Sequence, residues 1–342
     1  MSQLSKRSLI GVALVTFSGM ALASDITVGA FGGEWEKSLR ECVISRFEKD
    51  TGKTVQVALG APVQWMNQIA ASPDKPPLDV IYMPSDNAYD VINRGLAQKL
   101  TLENLPNLKE IRPYFADIGK GYGVVHNYGS MGIIYNKETV KNPPKSWDDF
   151  VQGTLKGDWQ AAIPSINYPG TLSTTLWNLA KQRGGDENNV QPGLDVIKAM
   201  KDSGNLDFWS DPNQVLNGMK SGEFDIAMYW DGRAWAFIDD GNTDKFGYIS
   251  PTPGAVAAMT WIQVVKNANP LAFKFAEIAL SKEAQGCFGS KIRYGVGNAN
   301  AKFDPAVASE ITQFDQLTFP PFVEISKQQG KWIEDWNKQI GR

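Results

Sequence analysis

The chain is poor in the residues from which many catalytic sites are built. Its 342 residues include one histidine, His126, and two cysteines, Cys42 and Cys287. A single imidazole excludes a multi-histidine metal centre and argues against histidine-based proton transfer. No Ser–His–Asp, CxxC or P-loop signature stands out, so neither a cofactor nor a metal is expected. Positive charge is not in excess: 34 Lys and Arg face 37 Asp and Glu, a net charge of −3, which excludes the electrostatic footprint of a nucleic-acid binder. Beyond the first two dozen residues no apolar run approaches the ~18 residues of a membrane span, so the mature chain reads as soluble.

The N-terminus does carry a signal. "MSQLSKRSLIGVALVTFSGMALASD" places Lys6 and Arg7 before a short apolar run, and "ALA" at 21–23 fits a small-x-small cleavage site. Residues 1–23 therefore read as a secretory signal peptide, with a periplasmic mature chain starting at Ser24. No cysteine sits at the cleavage site, so a lipid anchor is not expected. Losing Lys6 and Arg7 would take the charge from −3 to −5. An oxidising compartment permits a Cys42–Cys287 disulfide, but two separate buried thiols fit the sequence equally well.

What is present is a long alternation of strand and helix patterns. "DITVGAF" reads as a strand that ends in Gly32-Gly33, and a helix with Trp35, Leu39, Cys42, Val43 and Phe47 at helical spacing follows. "KTVQVAL" and "LDVIYM" read as further strands, with Ser85 capping the next helix and Gly95 ending it. Such βαβ units imply a mainly parallel sheet. "YGVVHNYGSMGIIYN" and "AVAAMTWIQVV" are long β-rich segments suited to crossing between lobes. "QAAIPS" (strand), "TLSTTLWNLAKQRGG" (helix) and "GEFDIAMYW" (strand) repeat the α/β logic in between, after a Ser146-capped helix. The expected fold class is α/β with two lobes: 24–127 and 253–315 in lobe 1, 128–252 in lobe 2, and 316–342 as a C-terminal helix.

Several segments together resemble the extracytoplasmic solute-binding proteins of ABC importers, in the branch with the spermidine/putrescine binders. They are "FEKDTGKTV", "DVIYMPSDNAYDVINRGLAQKL", "GSMGIIYNKETVKNPPKSWDDF", "MKSGEFDIAMYWDG", "SKEAQGCFG" and "YGVGNANA". The resemblance covers nearly all of the mature chain. It implies a periplasmic-binding-protein fold of the second type, hinge closure on a small molecule and delivery to a membrane permease by a monomer. It also implies ligand roles for Trp35, Ser85 and Trp230. Two departures stand against a long polycation: the second-lobe turn "PSINYPGT" lacks the acids of polyamine binders, and "MTWIQ" places Trp261 near the position of another acid. Ferric-binding relatives use adjacent tyrosines, and this chain has no Tyr-Tyr.

Strand-to-helix turns that face a cleft are where open α/β sheets hold ligands. These turns supply Glu34 and Trp35, Ser85 and Asp86, Tyr168 and Thr171, and Trp230, Asp231 and Arg233. The crossing strands add Tyr128 and Ser130, which alternation places on one face, and Trp261. Tyr294 is a further aromatic candidate. Trp230 offers a cation–π face, Asp231 a counter-charge for an ammonium group and Arg233 a partner for a carboxylate. That set suits a small amine or an amino-carboxylate such as γ-aminobutyrate. The alternatives are an Asp231–Arg233 pair that only stiffens the turn, and for Glu34 a purely helix-dipole role. At the level of the whole chain they are a sensor subunit for the same ligands, a binder of opines or sugar derivatives, and an enzyme on the same scaffold.

Overall fold

A computed structural model describes residues 24–341; the expected signal peptide lies outside the described residues. The strands are β1 (Ile26–Ala30), β2 (Val55–Leu59), β3 (Val80–Pro84), β4 (Val124–Asn136), β5 (Ala161–Pro164), β6 (Leu206–Trp209), β7 (Ile226–Trp230), β8 (Phe246–Ile249), β9 (Ala255–Val264), β10 (Gly295–Val296) and β11 (Leu317–Thr318). They join one sheet of order β2-β1-β3-β9-β4-β7-β5-β6. Strands β2, β1 and β3 are parallel to one another, and so are β7, β5 and β6. The long β4 and β9 lie antiparallel between these two sets and tie them together.

Two hydrophobic cores form on this frame, as expected of two α/β lobes. The first draws on Ile26–Tyr128, Met259–Ile292 and Phe322; the second on Met131–Val256 and Ile325–Ile340. Ownership of β4 changes between Tyr128 and Met131, and that of β9 between Val256 and Met259. The C-terminal helix Phe322–Gln339 crosses between them, with Phe322 in the first core and Trp332 and Trp336 in the second.

Helix ends follow the sequence in most places. Gly52 closes the helix Ser45–Thr51 in the left-handed conformation, and Ser146 caps Trp147–Lys156 through a reciprocal capping box with Asp149. One expectation is corrected. Pro84, not Ser85, is the N-cap of the helix Ser85–Asn93. The Ser85 hydroxyl instead accepts the Trp261 indole N–H at 3.1 Å, which a fully buried indole needs. The helix read from "TLSTTLWNLAKQRGG" is present without a break from Thr171 to Lys181, with a π-helical section at Leu172–Trp177.

Cys42 and Cys287 are disulfide-bonded across a sequence separation of 245. The bridge fastens the helical segment that follows β1 to the helix Lys282–Ile292. Closing so long a loop in the unfolded chain is worth roughly 2–5 kcal/mol.

Candidate ligand-binding cleft

The register of the crossing strands creates a gap. β3 runs antiparallel to β9, β9 to β4 and β4 to β7, so β3 and β7 point their C-terminal ends at each other. Pro84, the end of β3, stands opposite Thr260; Trp230, the end of β7, stands opposite Met131, which pairs with Val256. The two ends are therefore offset by the stretch from Val256 to Thr260, about 13 Å of strand at ~3.3 Å per residue. On that stretch burial alternates. Ala257 and Met259 are buried, whereas Ala258 and Thr260 are only partly so. Ala258 pairs with Gly129, and opposite residues share a face, so Gly129, Ala258 and Thr260 make a floor of small residues, partly open at Ala258 and Thr260 and covered by the Tyr294 ring at Gly129.

Aromatic walls rise on that same face. Trp230 shares the face through its pairing with Met131, and its indole N–H donates to the Tyr168 hydroxyl at 2.9 Å. Tyr168 is held edge-on against Trp209, with ring centroids 4.5 Å apart. On the lobe 1 side Tyr82 stands opposite Ile262, again on the floor's face, and Trp35 packs edge-on against it at 4.7 Å. Trp35 keeps 8% exposure and its indole N–H has no partner. Tyr294 lies over Gly129 and Gly232. A β-carbon at Gly232 would fall 2.1 Å from the Ile292 carbonyl and 2.4 Å from the Tyr294 ring, so only glycine admits this approach.

The charged groups sort differently from the sequence expectation. Arg233 is exposed and makes no ion pair with Asp231; the stiffening pair is absent among the described residues. Asp231 is 1% exposed, and its carboxylate accepts from the Ser130 hydroxyl (2.8 Å), the Thr312 hydroxyl (3.0 Å) and the Gly232 N–H (2.8 Å). Burial pushes its pKa up to about 6 against the pull of these donors. Asp231 thus ties the start of the helix Asp231–Asp239 to β4 and to the segment that carries Thr312. Asp86 is buried as well, and burial raises it too to about 6, but its Oδ1 has no partner.

Other candidates turn away from the floor. Tyr128, Ser130 and Trp261 do share a face, but by parity it is the one opposite to Gly129, Ala258 and Thr260. Tyr128 packs on Phe115, and Trp261 is fully buried against Tyr89. Thr171 donates to the Ser165 carbonyl from a buried position. Glu34 is exposed, 3.6 Å from Lys37. It edges a groove of about 600 Å³ between the helices Glu34–Leu39 and Lys282–Ile292. That groove is bridged by the Glu41–Lys291 ion pair and does not reach the floor residues. His126 sits in an aromatic box with Trp35, Tyr82 and Phe288, where burial lowers its pKa to about 4 and keeps it neutral.

Residues 43–312 match the model of the bacterial extracellular solute-binding proteins. The chain belongs to that family. Its curated relatives include a norspermidine sensor of Vibrio cholerae, 24% identical over 48% of this chain and 47% of the relative. A 2-aminoethylphosphonate-binding periplasmic protein of Salmonella typhimurium is 27% identical over 49% and 48%. The chain thus spans about half the length of these two. The thiamine-binding periplasmic protein of Escherichia coli is 22% identical over 92% of both chains. Among solved structures, an extracellular solute-binding protein from Bordetella parapertussis superposes with a TM-score of 0.80 at 24% identity, covering 92% of this chain and 98% of that one. A GABA receptor gives 0.79 at 20% identity over 91% and 96%. These likenesses establish the type 2 periplasmic-binding-protein fold.

Within this solute-binding fold the sequence reading passed over three groups. Gly129, Ala258 and Thr260 carry no chemical signature, and only the pairing of β4 with β9 makes them a floor. Thr312 lies 81 residues from Asp231 in an irregular segment, so nothing local marks it as a partner. Tyr248 donates to the Ser130 and Tyr229 carbonyls and so backs the same junction.

Proposed function

We propose that this protein captures a small amine, polyamine or amino-carboxylate in the cleft over Gly129, Ala258 and Thr260 and hands it to a membrane permease. It works in the periplasm, as a monomer, after loss of residues 1–23. One observation carries the reading: two indoles from different cores, Trp35 and Trp230, stand on the same face of the sheet with a partly open floor of small residues between the strand ends. Flat aromatic faces are suited to an ammonium group or its alkyl chain. The hydrophobic cores give two bodies and the crossing strands give the hinge, so closure follows when a solute bridges both. The binding role, rather than an enzymatic one, is favoured by the solute-binding family of the chain and by the place of its one histidine, His126, inside an aromatic box away from the floor.

The test combines a thermal-shift panel of diamines, polyamines, ω-amino acids, opines and sugars with small-angle scattering. A solute at about 100 times its dissociation constant stabilises the fold by about 2.7 kcal/mol, a visible melting shift. That solute should also reduce the radius of gyration. Trp230→Ala should weaken it by about ten- to a hundredfold. A solute that binds tightly with no change in radius and no dependence on Trp230 would place the site elsewhere.

A further inference from the structure

We infer that the lobe 2 wall is a receptor for an oxyanion, formed by Arg233, Tyr168 and Tyr294, so that the solute carries a carboxylate or phosphonate group and is not a pure polyamine. This rests on the cleft reading above and narrows it.

The argument begins with Arg233. Arg40, Arg94, Arg183 and Arg293 each hold a carboxylate, and Arg112 bonds the Val296 carbonyl. Among the described residues Arg233 holds neither, and the other arginine of which this is true, Arg46, lies on an exposed helical surface. Arg233 is set in the first turn of the helix that starts directly after Trp230.

Its surroundings are donors. The Tyr168 hydroxyl accepts the Trp230 N–H, which leaves its own proton free to be given elsewhere. The Tyr294 hydroxyl makes no hydrogen bond to the described protein, and its ring lies over Gly232, the residue before Arg233, while Tyr168 is held to the indole of Trp230 at the start of the same helix. The nearby acids already receive hydrogen bonds from the chain. Asp231 is saturated by Ser130, Thr312 and Gly232, and Asp211 caps the helix Pro212–Ser221 through the Asn213 N–H. A guanidinium that holds no carboxylate, at a helix start ringed by the Tyr168 and Tyr294 hydroxyls, suits a planar or tetrahedral oxyanion. The second ammonium of a diamine would meet the like charge of Arg233.

γ-Aminobutyrate and putrescine share an ammonium group on a four-carbon chain and differ at the far end, carboxylate against ammonium. Both, with butyrate and inorganic phosphate, are titrated into the parent protein, Arg233→Gln and Arg233→Lys. Binding is followed by calorimetry and by the Trp230 indole N–H signal in NMR spectra. Arg233 is exposed and unpaired, so the variants should fold. The expected result is a saturable shift of the indole signal with phosphate or butyrate, γ-aminobutyrate bound better than putrescine, and at least about a tenfold loss of anion affinity in Arg233→Gln, partly restored in Arg233→Lys. Putrescine bound better than γ-aminobutyrate, or no saturable anion response into the tens of millimolar, overturns the proposal. So does an anion response unchanged in Arg233→Gln. If the anion proposal falls while some solute from the panel still depends on Trp230, the cleft reading stands. If the bound solute ignores Trp230 as well, both fall.

Discussion

Asp86 and Asp231 occupy matching places in the two lobes. Each lies in the first turn of a helix that begins where a parallel strand ends, each is more than nine-tenths buried, and burial lifts each to about 6. Their hydrogen bonding differs. Asp231 receives three donors from three parts of the chain, whereas one oxygen of Asp86 receives none. The same residue type in the same kind of position therefore has opposite consequences. Asp231 is a tie between a helix, a crossing strand and the segment around Thr312; Asp86 is an uncompensated charge that the fold tolerates. The difference teaches that a buried acid at a helix start is not in itself a ligand contact. What its oxygens already hold decides whether it has anything to offer.

Truncation gives the sharpest contrast. Asp231→Ala leaves the Ser130 and Thr312 hydroxyls and the Gly232 N–H without their acceptor, and should lower the unfolding free energy by about 2–4 kcal/mol after partial rehydration. Asp86→Ala orphans no donor and should cost less than about 1 kcal/mol. Urea denaturation of the pair measures both. Equal losses would mean that Asp86 has a partner after all, and the contrast would vanish.

The second contrast is in pH. An unfolded aspartate ionises near 3.8, and these two ionise near 6 in the folded chain. Between those values the folded state holds protons that the unfolded state has released. Stability from these groups is thus complete below about 4, declines as pH rises through 6 and is flat above. Asp86→Asn removes the Asp86 share. At pH 7.5 it should be more stable than the parent by about 1–3 kcal/mol, since a tenfold difference in proton affinity between the folded and unfolded chain is worth about 1.4 kcal/mol. At pH 4 the two should coincide. Denaturation at both pH values checks the sign, and a variant less stable at pH 7.5 would show that the Asp86 carboxylate is compensated.

The alternation of strands and helices, the crossings at β4 and β9 and the Ser146 and Gly52 helix ends were legible because local pattern determines them. So was the presence of Trp230 at the end of a buried strand. What local pattern leaves open is which face of a strand is exposed. Alternation put Tyr128 and Ser130 together correctly, but only the pairing of Gly129 with Ala258 shows that the open face is the other one. Long-range partners were equally hidden: Thr312 from Asp231, and Cys287 from Cys42 across 245 residues. The serine that opens the helix Ser85–Asn93 looked like a cap, and its hydroxyl went to an indole 176 residues away.

A third acid completes the series and should give the smallest effect. Glu34 also opens a helix after a parallel strand, following Gly33, which adopts the left-handed region at φ 71. Unlike the two aspartates it is exposed, and its partner Lys37, one turn on at 3.6 Å, is exposed too. Pairs of this kind contribute little, because water screens them and two long side chains must be ordered to form them. Glu34→Gln keeps the shape, gives up the charge and should change stability by no more than about 0.5 kcal/mol. Affinity for the solute found in the thermal-shift panel should change by less than about twofold, because Glu34 edges the groove bridged by Glu41 and Lys291 rather than the floor between the strand ends. Calorimetry on this variant probes the closed state as well, because closure swings the two lobes together. A tenfold loss would mean that closing brings Glu34 onto the solute. The counter-charge for an amine would then sit at the first helix of lobe 1, opposite the proposed oxyanion site at Arg233.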